Sequence, residues 1–128
     1  MSEEKTLFDK ARTNYEVAAI LLANSGDDEA FLNQAGYHLQ QAVELAIKFE
    51  LEISGVEYVK THDIDQLIRL AKNNKVDLHL PEYIEDHSEM FSAWESKTRY
   101  ILGYLIEREK IEKSLAAVET MLVDISEM

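Results

Sequence analysis

Apolar residues recur every three or four positions along nearly the whole chain, and very little interrupts that rhythm. One proline and four glycines are the only strong breakers in 128 residues, and no stretch alternates apolar with polar as a half-buried strand does. The first face runs through Leu7, Ala11, Tyr15, Ala18 and Leu22 and stops at Asn24-Ser25-Gly26. Asp27-Asp28 then offers an N-cap and negative charge at the positive end of a second helix, from about Glu29 to Ile53. That helix has apolar residues around much of its circumference: Phe31, Ala35, Ala42, Leu45 and Phe49 on one side, Leu32, Leu39, Val43 and Ile47 on another. Such a helix belongs at the centre of its domain. Gly36 inside it costs about 1 kcal/mol of helix propensity relative to alanine, which predicts a close neighbour at that point.

Gly55 is placed to end the second helix. Thr61 to Asp63 can cap a short helix with Ile64, Leu67, Ile68 and Ala71 on one face, closed by Asn73-Asn74. Pro81 suits a first helical position, and Tyr83, His87, Met90, Phe91 and Trp94 follow at helical spacing. The pattern weakens around Gly103. From Glu107 a last helix carries Ile111, Leu115, Val118, Leu122 and Ile125 in register. The expectation is an all-α, up-and-down bundle of four main helices plus one short helix, forming a single domain over residues 1–128.

Charge narrows the range of functions. The 13 basic and 25 acidic residues give a net charge of −12, which repels a phosphate backbone and argues against sequence-independent duplex DNA binding. Any nucleic-acid contact then needs a local basic pocket. With no cysteine, disulfides, thiolate metal sites and cysteine nucleophiles are excluded. The longest unbroken apolar run, Val17 to Ala23, is far short of a membrane span. Met-Ser-Glu-Glu-Lys at the start leads into no signal-type apolar region, so a cytoplasmic location and no membrane partner are expected.

Spacing tests most chemistries a helical bundle can house. A di-iron site needs Glu-x-x-His, but Ala35, Val59, Val76 and Ile84 stand three positions before the four histidines. No two histidines lie four apart on a helix, and isolated glycines make no phosphate loop, so neither a metal nor a cofactor is expected. The carboxylate pairs Glu82/Asp86 and Glu85/Glu89 read as solvated helix faces.

Three segments carry a further signal: Ala35 to Phe49, reading AGYHLQQAVELAIKF; Tyr58 to Ile64, with a Tyr-x-x-Thr-His-Asp element; and Glu95 to Tyr100, with a Glu-x-x-x-Arg-Tyr element. In that order, and with these helix lengths, the chain resembles the HEPN (higher eukaryotes and prokaryotes nucleotide-binding) domain over nearly its full length. The resemblance implies a small up-and-down bundle, usually a homodimer. It also implies nucleotide or RNA binding, and in prokaryotic members a toxin-like role beside a minimal nucleotidyltransferase. Many members are metal-independent ribonucleases. They use an Arg followed, after four to six residues, by a His that moves the ribose hydroxyl proton while Arg neutralises the phosphorane. This chain departs at that point: after Arg99 the corresponding positions hold Tyr104, Leu105 and Ile106. Tyrosine is a poor general base at neutral pH, so little or no RNA cleavage is expected, while binding through Arg99 is still open.

The candidates follow. Arg99 and Tyr104 are the catalytic candidates, and Arg99, Lys97, Tyr100 and Trp94 the ligand-binding ones, because Arg beside aromatics suits phosphate and base contacts. Arg99 also follows Glu95 by four residues, the spacing of a helix ion pair, and both readings stand. Tyr104 near a helix end reads more simply as packing. Gln40, Gln41 and Glu44 match the resemblance, although Glu44 and Lys48 also have ion-pair spacing. His62 reads as satisfying a local hydrogen bond at a helix start, and His38 as a satisfied core or interface histidine. Trp94 and its neighbours are expected in or near a homodimer interface. A non-catalytic helical dimer serving as a protein-interaction module is the alternative.

Overall fold

The computed structural model describes residues 5–128; Met1 to Glu4, part of the segment read above for a signal, lie outside it. It is all-helical: α1 (Leu7–Ala23), α2 (Glu29–Ile53), α3 (Ile64–Asn73), α4 (Glu82–Asp86), α5 (Ser88–Tyr100) and α6 (Arg108–Ser126). α1 starts in a capping box, in which the Thr6 hydroxyl accepts from the Asp9 backbone N–H and the Asp9 carboxylate accepts from that of Thr6. The backbone N–H of Lys5 is the main cause that holds the Asp9 carboxyl below its ordinary range. Asp28 and Asp63 cap α2 and α3 by accepting from Ala30 and Gln66.

α2 ends in a Schellman turn. Gly55, at φ +75°, lets Val56 N–H reach the Leu51 carbonyl and Gly55 N–H that of Glu52. α3 ends the same way without a glycine. Lys75 takes the left-handed conformation at φ 56°, and Val76 N–H reaches Ala71 O.

α2 is the hub, packing against α1, α3, α5 and α6, while α1 and α6 also meet each other. Its buried residues include Leu39, Ala42, Val43, Ala46, Ile47 and Leu51. The close approach expected at Gly36 is present. A Cβ there would stand 2.5 Å from Ile106 Cδ1, 3.3 Å from Trp94 Cδ2 and 3.4 Å from Ile111 Cδ1. The neighbour is therefore the junction of α5, α6 and the loop between them, rather than one helix.

The structure corrects the sequence reading in two places. The fourth helix is two, α4 and α5, broken at His87 with φ −114° and ψ 24°. His87 Nδ1 lies 2.8 Å from the Tyr83 carbonyl and its ring stacks on Tyr83, a side-chain bond that competes with the helical ladder. Pro81 sits at the N-cap of α4, one position before the helix. No helix among the described residues is long and apolar enough to cross a membrane.

A candidate anion site where three segments meet

The three segments singled out in the sequence converge in space. α2 presents Tyr37, Gln40, Glu44 and Lys48, successive positions along one helix face. The loop before α3 brings His62, and α5 brings Glu95 and Arg99. Gln40 is fully buried, and its amide nitrogen donates to Glu44 Oε1 and to the His62 carbonyl, each at 3.1 Å. Gln41 donates in turn to Gln40 Oε1 at 2.6 Å. These bonds fix the loop against α2.

Glu44 is 3% exposed, and each of its oxygens is satisfied. Oε1 lies 2.8 Å from His62 Nδ1, while Oε2 accepts from Lys48 Nζ at 2.9 Å. A carboxylate only accepts, so Nδ1 carries the imidazole proton and Nε2 faces the other way. There Nε2 comes within 3.7 Å of Glu95 Oε1. Glu95 is also nearly buried, and the same oxygen accepts from Arg99 Nη2, while the Glu95 carbonyl accepts from Arg99 Nε at 2.9 Å. The helix ion pair expected from spacing is thus present. It leaves the Arg99 side chain 39% exposed, and the guanidinium has further N–H donors unused by Glu95. The guanidinium carbon lies 4.9 Å from the Tyr100 ring centroid and 5.5 Å from that of Tyr37.

The candidates of the sequence reading divide. Arg99 and Tyr100 are at this surface, Tyr100 with 72% of its area open. Lys97 is exposed on α5, two residues from Arg99 and therefore turned to a different helix face. The second cation of the cluster is Lys48, whose ammonium also sits 5.7 Å from the Tyr58 ring. Trp94 is 1% exposed and packs edge-on against Phe91, so it is core and offers no surface to a ligand or to a dimer partner. Tyr104 is half-buried and tied to α2, its carbonyl accepting from Asn33 Nδ2 at 2.6 Å. Ile106, at another of the positions where the motif places a His, is buried over Gly36.

His62 does not make the local hydrogen bond expected at a helix start; its partners lie on α2 and α5. The sequence signal that could have found it was the resemblance itself, since His62 stands in the Thr-His-Asp element. His38 does behave as a satisfied histidine. Its Nδ1 lies 2.8 Å from Asn14 Oδ1, and burial pushes its pKa down. Among the described residues no group of three or more His, Asp or Glu is placed to hold a metal ion.

The family model described as HEPN domain matches residues 5–127. The chain belongs to the HEPN domain family. The three segments by which it resembles that family in sequence are the ones that build the cluster, so in this HEPN domain the signature residues are spatial neighbours. No curated protein and no solved structure matches the chain.

Proposed function

We propose that this HEPN protein binds a nucleotide or RNA through Arg99, with Tyr37 and Tyr100 beside the guanidinium as stacking surfaces. One observation carries the reading. On a molecule of net charge −12, Arg99 is a guanidinium held rigid by its own helix, flanked by two aromatic rings, with donors left over. The net charge opposes an approaching anion, so affinity rests on short charge-assisted hydrogen bonds. In this reading the protein acts as a homodimer and as the toxin-like partner of a minimal nucleotidyltransferase, as the family resemblance implies. It cleaves little or no RNA.

The test is calorimetry with a panel of nucleotides and short single-stranded RNAs on wild type, Arg99→Ala and Arg99→Gln, the last keeping a donor for Glu95. Losing the contact costs about 1.5–3 kcal/mol, a tenfold to hundredfold loss of affinity, with helical circular dichroism unchanged. Absence of binding by wild type, or equal binding by both variants, overturns it. Light scattering tests the dimer: a monomer mass at tens of micromolar protein counts against it. Robust RNA cleavage that disappears in Tyr104→Phe would contradict the non-catalytic part.

The second reading, a non-catalytic dimer that serves as a protein-interaction module, is favoured by a different feature. Tyr100, Ile101, Leu102 and Leu105 are hydrophobics at least half exposed in or beside the α5–α6 loop, with Leu102 fully open. Stable association with an unrelated protein that is unaffected by Arg99→Gln would favour it.

A further inference from the structure

We propose that His62 is a second arm of the anion site, that it takes up a proton as a phosphate monoester dianion binds beside Arg99, and that Glu44 is the residue that positions it. The inference rests on the reading of Arg99 as an anion contact and adds the ligand class and the proton.

His62 Nε2 lies 3.7 Å from Glu95 Oε1, and Arg99 Nη2 donates to that same oxygen, so the imidazole and the guanidinium border one carboxylate oxygen and an anion held by the free donors of Arg99 has His62 as its neighbour. Nδ1 is committed to Glu44, whose carboxylate is almost fully buried and also held by Gln40 and Lys48. The ring therefore cannot turn freely, and the nitrogen left without a hydrogen bond is Nε2, on the Glu95 side. His62 itself is open, with 59% of its side chain exposed. A neutral imidazole protonated at Nδ1 has only a lone pair at Nε2 and repels a phosphate oxygen; the imidazolium donates to it.

Charge points the same way. The groups facing His62 are two carboxylates, Glu44 on α2 and Glu95 on α5, and each is paired with a cation, Lys48 and Arg99, so the cluster around the ring holds two negative and two positive charges. Asp63 beside it has its carboxylate turned to the α3 N-terminus, where it accepts from Gln66 N–H. With His62 neutral the four charges cancel, so the cluster has no net attraction for a dianion. One proton on Nε2 makes it cationic and supplies the missing donor, and the proton comes from solvent. A monoester, with two charges on one phosphorus, rewards that proton more than a diester does. Glu44 holds the ring by Nδ1 and so fixes where Nε2 stands, much as a buried carboxylate orients a catalytic histidine.

The experiment is calorimetry with adenosine 5′-monophosphate in phosphate-free buffers of different ionisation enthalpy at pH 7.5. Wild type, His62→Gln and Glu44→Gln are compared, each checked by circular dichroism. Proton uptake of a sizeable fraction of one per ligand is expected for wild type. His62→Gln should lose that uptake and several-fold affinity, and Glu44→Gln should reduce the uptake. Titration of the ligand's own phosphate is common to all three proteins and cancels in the comparison. A measurement without variants is the histidine Cε1–H NMR titration, in which the His62 midpoint moves up when the monophosphate is present and stays put with the dinucleoside monophosphate ApA.

Monophosphate binding that needs Arg99 but has the same proton uptake in wild type and His62→Gln overturns this inference and leaves the Arg99 reading intact. No binding by wild type removes both.

Discussion

Glu50 on α2 is almost completely buried, and its carboxylate Oε1 lies 2.5 Å from His79 Nδ1 in the loop between α3 and α4. The His79 backbone N–H also points at both carboxylate oxygens, at 3.1 and 3.3 Å. The hydrogen bond to Glu50 is the largest cause of a raised His79 pKa, with the charges of Glu50, Asp124 and Asp77 adding to it against burial. A histidine pKa raised by folding gives stability that is fully present below the ordinary value near 6.5 and is lost as pH climbs through the folded value. The wild-type melting temperature should therefore fall between pH 6 and pH 8 more steeply than that of His79→Gln. Thermal melts across that range check it, and parallel slopes would show that the pair contributes nothing.

Gly36→Ala should destabilise the fold by about 1–2 kcal/mol, although alanine is the better helix former. The new methyl would overlap Ile106 Cδ1 and crowd the rigid Trp94 ring, and overpacking of this kind outweighs a propensity gain of about 1 kcal/mol. Ile106→Val removes the offending Cδ1, so the double variant should recover part of the loss. Urea denaturation of the four proteins in that cycle measures the coupling.

Lys75→Gly should stabilise the protein by roughly 0.5–1 kcal/mol. The left-handed backbone at Lys75 is needed to close the α3 turn through Val76, and a Cβ is unfavourable there. Glycine removes that penalty at the cost of a looser unfolded chain. A lower urea midpoint for the variant would mean that the lysine side chain makes a compensating contact.

Trp94→Ala and Arg99→Gln should separate packing from binding. Trp94 is buried over Gly36 and against Phe91, so its truncation should cost about 3–5 kcal/mol of stability. Arg99→Gln, at a half-open position, should leave the melt nearly unchanged and weaken anion binding. The reverse pattern in paired melts and titrations would return Trp94 to the ligand surface and make Arg99 structural.

How much of this was written in the sequence depends on the range of the interaction. Helix content, the ends of α1 and α2, the caps at Asp28 and Asp63 and the special position of Gly36 follow from residues a few places apart, and they are where spacing put them. The Glu95–Arg99 and Glu44–Lys48 pairs are equally local and equally legible. The break at His87 was not, because one side chain bonding a carbonyl four residues back leaves the apolar rhythm undisturbed.

The tertiary structure alone decided that Lys48 rather than Lys97 completes the cluster, that Trp94 is core, and that His62 lies between Glu44 and Glu95. Periodicity says which face of a helix is apolar, but not which neighbour covers it or how deeply. Nor does it say which polar groups of distant segments are left facing one another when those faces close. Residues 40, 44, 62, 95 and 99 meet because α5 and the loop before α3 both pack on α2 around them. Burying Gln40 and Glu44 there obliges each to find a partner, and those partners come from across the bundle.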